Sequence, residues 1–186
     1  MTLAETASIF CQTIIVDATL EQAADDEEEL AILEDFLIDA SQVIVDIYSR
    51  YLFEKEVFER RLKSELSSDE LGEIMENAQK ATYGEALDER YLHKYMWTWK
   101  PHYYYAGLSF YNFPYSFGLL FGTGLYAIYQ QRGADFVPDY KNLLASTGEA
   151  NAAELADRFG INIRTSKFWE DSLAVIAGEV ERYVSL

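Results

Sequence analysis

The spacing of apolar residues along the chain predicts a protein built from helices. Apolar side chains recur every three or four positions from Leu3 to Leu20, which is the period of an amphipathic helix. A second apolar stripe follows from Leu30 to about Leu66 without a break, and a last one runs from Phe168 to Val184. No alternating pattern of useful length predicts a strand, although residues 160–163 would fit a short extended link. We therefore predict an all-α fold, organised as a single helical domain over residues 1–186.

Capping residues place several helix boundaries. The segment Ser67–Glu70 has a serine three positions before a glutamate, a capping box that predicts a helix start, and Gly84 is expected to end that helix. The segment Asn151–Glu154 repeats the same spacing and predicts a second start. Pro138 is expected to begin a short helix between these two, because proline is favoured in the first helical turn.

One long stretch of the chain carries no charge. From Pro101 through Gln131 there is no Asp, Glu, Lys or Arg, which is a feature of membrane spans. Proline, glycine and tyrosine interrupt the stretch and no basic cluster flanks it, so we expect a buried helix between Phe110 and Tyr129 rather than a span. Three glycines in this helix are expected to let another backbone approach closely, namely Gly118, Gly122 and Gly124.

The chain as a whole is strongly acidic, with 32 Asp and Glu residues against 15 Lys and Arg and a net charge of -17. This charge would repel nucleic-acid phosphates and anionic membrane surfaces, so we expect neither nucleic acid nor a membrane as a partner. The acidic run Asp25–Glu29 is expected to be a solvated face or a loop. The single cysteine, Cys11, excludes an internal disulfide, and the first residues lack a signal-peptide pattern, so we predict a cytoplasmic protein.

The segment Lys100–Phe117 concentrates five tyrosines around His102, one of only two histidines in the chain. A buried phenol must find a hydrogen-bond partner or lose about 1 to 3 kcal/mol, so this composition is unusual for a core. Phenol and imidazole groups can donate hydrogen bonds to an oxygen that becomes negative in a transition state. From the residues alone, an ordinary aromatic packing layer or a peptide-binding groove is favoured over such an oxyanion site.

Motifs of common catalytic sites are absent from the sequence. His93 and His102 are nine residues apart, so they cannot share a helix face as the two histidines of an H-E-x-x-H zinc motif do. The sequence also has no G-x-S-x-G nucleophile turn and no glycine-rich phosphate loop after a strand. Nothing in the residues by themselves therefore assigns a reaction.

Blocks of sequence, taken in order, change this interpretation. The aromatic segment contains two of them, Trp99–Tyr104 and Phe110–Phe121. Five others occur in a matching order, namely Glu5–Ser8, Tyr51–Glu54, Tyr83–Gly84, Tyr140–Leu144 and Phe159–Ile161. Together the blocks resemble the C-terminal part of the oligoendopeptidase F family of zinc metallopeptidases, relatives of thimet oligopeptidase. The resemblance covers essentially the whole chain.

The resemblance implies the helical C-terminal portion of a zincin-like oligopeptidase fold, with a channel that admits short peptides. In that family, zinc is held by the two histidines of H-E-x-x-H and by a glutamate on a later helix, while the glutamate of the motif activates a water molecule. Glu5 matches the later glutamate ligand. His102, Tyr111 and Tyr115 match the histidine and tyrosines that bind the scissile carbonyl group and stabilise its oxyanion.

Two departures from the family pattern decide what this chain is expected to do. Met1 precedes the matched zinc ligand by only four residues, so we expect the H-E-x-x-H helix to be missing from this polypeptide. Gln12 stands where the family commonly has a glutamate, which puts a polar network at that point in doubt. We therefore expect a peptidase fragment that binds no zinc and cleaves no peptide by itself.

Partners and alternatives follow from the same resemblance. The missing half would cover apolar surface, so we expect this half, or a second copy of the chain in a symmetric dimer, to bind the exposed face. The alternative function is a non-catalytic helical module that holds a peptide or a partner helix in its aromatic groove. The matched residues also have structural interpretations, Glu5 as a solvated carboxylate at a helix N-terminus and His102, Tyr111 and Tyr115 as packing residues.

Overall fold

The computed structural model describes residues 3–186, and helices account for its regular structure. No strand occurs among the described residues, so the predicted all-α fold is confirmed. The α-helices are α1 (Thr6–Leu20), α2 (Asp26–Ser41), α3 (Ile47–Arg61), α4 (Ser68–Tyr83), α5 (Phe113–Arg132), α6 (Val137–Ala145), α7 (Ala152–Asp157) and α8 (Ser166–Ser185). Between α4 and α5 the chain forms only short 3-10 turns.

The acidic run begins a helix rather than forming a loop. Asp26 to Glu29 occupy the first turn of α2, where negative charge is favourable to the partial positive charge of the helix N-terminus. Asp25 accepts a hydrogen bond from the backbone N–H of Glu28 at 3.0 Å, and Glu28 accepts one from the backbone N–H of Ala24 at 2.8 Å. The expectation of a solvated face is confirmed, but that of a loop is wrong.

The second apolar stripe is one helical run, with a change of winding in the middle. A π-helical turn, Gln42–Asp46, joins α2 to α3. The run ends at Arg61, five residues before the predicted end at Leu66, because the capping box at Ser67 already starts α4. Both bonds of this box are present, Glu70 N–H to Ser67 Oγ at 3.3 Å and Ser67 N–H to Glu70 Oε2 at 2.8 Å.

The contacts group the chain into two compact units. The first unit consists of residues 3–40 with Phe117–Leu186, and the second of Ser41–Ser116. The expectation of a single domain stays a prediction.

The first unit is built around the part of α5 that lies within it. Every residue from Phe121 to Ala127 is buried, so this stretch is covered on all faces, as the sequence predicted for a buried helix. Its core also includes apolar residues from α1, the α6 region, the α7 region and α8, namely Phe10, Phe136, Leu143, Leu155, Ala156, Ile161, Ile163 and Phe168. Across residues 3–186, no helix is both long enough and apolar enough to cross a membrane.

Glycines let neighbouring helices approach α5 within the first unit. A β-carbon added to Gly118 would lie 2.6 Å from the β-carbon of Glu5, and one added to Gly122 would lie 2.7 Å from Cγ2 of Ile9. On another side, a β-carbon at Gly124 would lie 2.4 Å from the Phe168 ring. These distances are far shorter than a normal contact between heavy atoms. A neighbouring backbone approaches Gly118 and Gly122 as expected, at 3.7 Å and 3.3 Å from the added carbon, whereas Gly124 makes room for side chains of α8.

The second unit packs α3 against α4. Its apolar core contains Ile74 and Met75, both fully buried, together with Phe53 and Ala78. Three partly buried residues of the 3-10 segment between α4 and α5 pack against this core, namely Met96, Trp97 and Tyr103. Gly84 ends α4 with φ 55, a left-handed conformation that glycine adopts without steric cost.

The glycine contacts lead to a stability prediction. Gly122→Ala should lower the free energy of unfolding by about 1 to 3 kcal/mol, because the new methyl group would overlap the branched side chain of Ile9 and lie 3.3 Å from the backbone nitrogen of Phe10. The matched control is Gly178→Ala on α8, where the added carbon meets nothing within 4 Å. This control should be neutral or stabilise by up to about 1 kcal/mol. Urea unfolding of the three proteins measures the difference, and equal stabilities would contradict the packing described here.

Candidate functional site

The predicted site residues fall in different units of the structure. Glu5 belongs to the first unit, whereas His102, Tyr111 and Tyr115 belong to the second. We name these three second-unit residues the His/Tyr wall.

Glu5 is held by close packing on α5. It lies half-buried directly before α1, and its β-carbon covers Gly118. Ser8 Oγ is 3.2 Å from Glu5 Oε2 and 3.0 Å from the Glu5 carbonyl oxygen, and it can donate a hydrogen bond to either. Glu5 makes no side-chain capping bond to α1, so its carboxylate keeps acceptor capacity for a further ligand.

A complete zinc site is not formed by the described residues. A protein zinc site takes three or four nitrogen, sulfur or oxygen ligands from side chains, with water filling an open position. Within residues 3–186 no group of three or more His, Cys, Asp or Glu side chains is placed to hold a metal ion. Glu5 offers one carboxylate, so residues 3–186 do not fit a zinc ion without ligands from elsewhere.

The His/Tyr wall is a contiguous group of rings. The His102 and Tyr111 rings are stacked, with centroids 5.4 Å apart and an angle of 18° between their planes. Tyr115 meets Tyr111 edge to face at 6.3 Å and 81°. The structure thus brings together the three residues that the sequence singled out in this segment.

Helix α5 begins later than the sequence suggested. It starts at Phe113, so Tyr111 precedes the helix and only Tyr115 lies in its first turn. The expectation that both tyrosines sit four apart on one helix is therefore wrong. Tyr111 instead follows a turn in which its backbone N–H donates to the Leu108 carbonyl oxygen at 3.0 Å.

The wall presents hydrogen-bonding groups that the described part of the chain does not use. Neither the Tyr111 nor the Tyr115 hydroxyl is hydrogen-bonded to a residue in the range 3–186, and Tyr115 is 37 % exposed. The His102 Nδ1 atom is buried, and no partner for it exists among those residues. The Tyr111 and Tyr115 hydroxyls can donate hydrogen bonds to a ligand oxygen, and such donors stabilise an oxygen that gains negative charge.

The other tyrosines of the segment have different surroundings. Tyr103 packs on Phe53 with ring centroids 5.1 Å apart, and burial raises the pKa of its phenol. Tyr104 donates a hydrogen bond to the Trp97 carbonyl oxygen at 3.2 Å. Tyr105 is 61 % exposed. Tyr103 thus belongs to a packing layer, Tyr104 and Tyr105 are largely exposed, and Tyr111 and Tyr115 lie in the His/Tyr wall.

A cavity of about 390 Å³ lies next to the packing tyrosines. Its lining is mainly apolar and includes Phe53, Val57, Leu71, Trp97 and Tyr103. A cavity of this size could accept an apolar side chain of a peptide. None of the three wall residues lines it.

Phe110, directly before Tyr111, has an unusual backbone conformation. Its φ is 57, a left-handed value that costs a residue with a side chain about 1 to 2 kcal/mol. Its backbone N–H donates to Glu54 Oε1 at 2.8 Å. Its ring packs between those of Tyr51 and Phe58, at centroid distances of 5.8 Å and 5.3 Å.

Glu54 belongs to a buried row of charged residues that the sequence analysis missed. Asp46, Arg50 and Glu54 are spaced by four residues and are 8 %, 7 % and 5 % exposed. Arg50 forms an ion pair with Asp46, which also accepts a hydrogen bond from the Tyr83 hydroxyl at 3.2 Å. The sequence does contain a signal for this row: charges of alternating sign recur every four residues beside the apolar residues of the stripe.

Burial shifts the pKa of Glu54 in this row and of Tyr83 beside it. Removal from water raises the pKa of Glu54, and the hydrogen bond from the Phe110 N–H partly opposes the rise. Burial, with the nearby Asp46 charge, raises the pKa of Tyr83 to about 12. The charged form of Glu54 is thus less favourable inside the fold than in the unfolded chain.

This shift predicts how stability changes with pH. The cost of burying charged Glu54 is absent below its unfolded pKa of about 4.3 and fully present above its raised folded pKa. Glu54→Gln should therefore gain stability relative to the unmodified chain as pH rises from 4 to 7. Urea unfolding at each pH measures the difference, with Glu59→Gln on the exposed face of α3 as the control that stays flat. A difference for Glu54→Gln that is constant, or that falls with pH, would contradict the assignment.

Comparisons with known proteins bear on this arrangement. No family model matches the chain. The chain is similar to an oligoendopeptidase F homolog of Lactococcus lactis subsp. lactis (strain IL1403), with 26 % identity over 193 aligned residues that cover 99 % of this chain. It is also similar to the crystal structure of a candidate peptidase from Chlamydophila abortus, with a TM-score of 0.87 and 22 % identity over 100 % of this chain.

Both relatives are much longer than this protein. The chain spans 31 % of the length of each. The structural likeness shows that the helical fold is shared with part of a larger protein. The resemblance inferred from the ordered sequence blocks is confirmed: nearly the whole chain is similar to about a third of an oligoendopeptidase F homolog.

Proposed function

We propose that this chain is the C-terminal portion of an oligoendopeptidase F-like zinc metallopeptidase that cleaves short peptides, and that it supplies the oxyanion-binding side of the active site. The observation that carries the proposal is the His/Tyr wall, in which His102, Tyr111 and Tyr115 lie side by side. Similarity to an oligoendopeptidase F homolog over 99 % of the chain supports the assignment to a peptide substrate.

The wall residues would act on the peptide bond through hydrogen bonds. When water attacks a peptide carbonyl group, its oxygen gains negative charge, and donors already in position lower the energy of that state. The unbonded hydroxyls of Tyr111 and Tyr115 and the imidazole of His102 are such donors. Loss of one oxyanion donor typically lowers kcat by about 100-fold to 1,000-fold.

Zinc chemistry is assigned to the complete peptidase and not to these residues alone. In the proposed enzyme the metal ion would activate the attacking water, and Glu5 would be one of its ligands. The 186 residues contain no H-E-x-x-H sequence, so the remaining ligands and the general base must come from another segment. By itself the 186-residue polypeptide is therefore proposed to be inactive and to bind no zinc.

The surface of the second unit fits a partner that covers it. Several of its large aromatic side chains are exposed, namely Tyr48, Tyr51, Phe58, Tyr91, Tyr95, Trp99, Tyr104, Tyr105 and Phe113. Exposed aromatic groups in this number favour burial against another protein surface. We assign that surface to the H-E-x-x-H-bearing part of the peptidase or, in its absence, to a second copy of the chain. The cytoplasm is the proposed location.

The activity test compares the chain alone with the chain in its complete context. The 186-residue polypeptide should not hydrolyse internally quenched short peptides. Its pairing with an H-E-x-x-H-bearing polypeptide, or a chimera with the part of the Lactococcus homolog that this chain does not match, should give chelator-sensitive cleavage. In the active form, Tyr111→Phe should lower kcat by about 100-fold or more. Tyr105→Phe is the matched control and should change little, because Tyr105 is exposed and outside the wall.

Two results would contradict the proposal. Cleavage by the isolated 186 residues that a chelator abolishes would show that a metal site forms within them. Tight peptide binding without cleavage in every complete form would favour the non-catalytic binding module instead.

Self-association gives a separate test of the exposed surface. In the absence of the other part, the mass measured by light scattering should rise with concentration from one chain toward two. The double change Trp99→Ser with Tyr104→Ser should weaken this association, since both side chains are about 60 % exposed. A constant monomer mass up to high concentration would contradict the assignment of this surface to a protein partner.

A further inference from the structure

We propose that Glu54 is the positioning residue of the His/Tyr wall: its buried carboxylate fixes the backbone of Phe110 and thereby places Tyr111 against His102. This inference rests on the proposed function, because it assigns Glu54 a role in arranging the oxyanion donors. Glu54 itself bonds to the backbone and not to a wall side chain.

The first step is the bond between Glu54 and Phe110. Glu54 lies on α3, is only 5 % exposed, and accepts the Phe110 N–H at 2.8 Å across 56 residues of sequence. Leaving a buried backbone N–H without an acceptor costs about 1 to 3 kcal/mol, so this bond favours the backbone position in which it forms. The bond therefore ties the loop before α5 to a regular helix.

The second step is the conformation that the bond supports. Phe110 is the only residue other than glycine with a positive φ among residues 3–186. Such a conformation persists where the surroundings determine it from more than one side. Here Glu54 holds the N–H, while Tyr51 and Phe58 hold the ring.

The third step connects this conformation to the wall. Tyr111 directly follows Phe110 in the chain. The carbonyl oxygen of the peptide group that joins these two residues accepts the Phe113 N–H at 3.3 Å, at the start of α5. A change of φ at Phe110 would turn the chain that carries Tyr111 and would break its stack on His102. The geometry of the wall thus depends on the backbone of its neighbour.

A polar side chain at this buried position costs free energy unless it is hydrogen-bonded. Glu54 Oε2 is buried and bonds to nothing within residues 3–186, and burial disfavours the charge of this side chain. Oε1, by contrast, accepts the Phe110 N–H, so this bond offsets part of the cost of burying Glu54. A neutral side chain with an oxygen in the same place, such as glutamine, would serve as the acceptor equally.

The experiment uses the isotope-labelled 186-residue chain and nuclear magnetic resonance. The variants are Glu54→Ala, which removes the acceptor, Glu54→Asp, which keeps the charge but shortens its reach, and Glu54→Gln, which keeps an oxygen acceptor in place. The control is Glu59→Ala, an exposed glutamate on the same helix. The readouts are hydrogen exchange at the Phe110 amide and cross-relaxation between the His102 and Tyr111 rings.

Glu54→Ala and Glu54→Asp should speed exchange at the Phe110 amide at least tenfold and abolish most of the cross-relaxation between the two rings. The core amides of Ile74 and Met75 should exchange as before, which separates the effect from general destabilisation. Glu54→Gln and Glu59→Ala should preserve both signals. If Glu54→Ala does not fold, Glu54→Asp carries the test.

Unchanged Phe110 exchange in Glu54→Asp would overturn the inference. So would faster exchange with intact contact between the rings, because Glu54 would then hold Phe110 without placing the wall. The proposed function fails separately: if no complete form of the protein cleaves peptides while the resonance results hold, Glu54 positions these rings for another purpose. If cleavage occurs and the resonance results fail, only the positioning role is lost.

Discussion

The second unit depends on the pairing of buried backbone groups with buried side chains. The chain between α4 and α5 forms only 3-10 turns, which leave many backbone groups outside regular hydrogen bonding. Two side chains on helices fasten this segment. Gln79 on α4, 1 % exposed, donates to the His93 carbonyl oxygen at 3.1 Å and accepts the His93 N–H at 2.8 Å, and Glu54 on α3 accepts the Phe110 N–H. Helices α3 and α4 thus hold the irregular segment at two points, His93 and Phe110.

The first unit depends on a different constraint, the lack of side chains at glycine positions on α5. Gly118 and Gly122 are four residues apart on α5, so they share a face and together form a surface on which α1 can pack closely. The same contact sets the position of Glu5, whose β-carbon lies over Gly118. Helix packing therefore places this predicted ligand residue, and Ser8 Oγ can add a hydrogen bond to its carboxylate at 3.2 Å.

Local signals in the sequence were enough to predict most of the helices. Capping at Ser67, the left-handed glycine at Gly84 and the apolar period of α8 act over a few residues, so they can be read without the fold. Asp25 and Glu28 also make capping hydrogen bonds, at the start of α2. The sequence did not predict this start, because the acidic run was interpreted as a solvated face or a loop. The three wall residues were found through resemblance, since their composition alone favoured ordinary packing.

Features that rest on long-range contacts could not be predicted. Phe110 has a positive φ and donates its N–H to Glu54, 56 residues away, and no local property of a phenylalanine suggests either feature. Helix α5 begins only at Phe113, after this turn, so its start could not be read from the local pattern. The burial of Asp46 and Arg50 likewise depends on the partners that α3 meets in the fold, such as Tyr83. The hydrogen bond between Glu54 and Phe110 cannot be predicted from the sequence around Glu54, because that segment has the pattern of an apolar helix stripe.

The central claim is that the His/Tyr wall stabilises a developing oxyanion, and its most direct test is a comparison of two affinities in the complete protein. A phosphinic peptide carries charged oxygens in the tetrahedral arrangement of the transition state, whereas the matching amide peptide does not. Calorimetric titration of both ligands into the unmodified and Tyr111→Phe forms should show a much larger loss for the phosphinic peptide. Equal losses for the two ligands would mean that the wall only binds peptides, and would contradict the account.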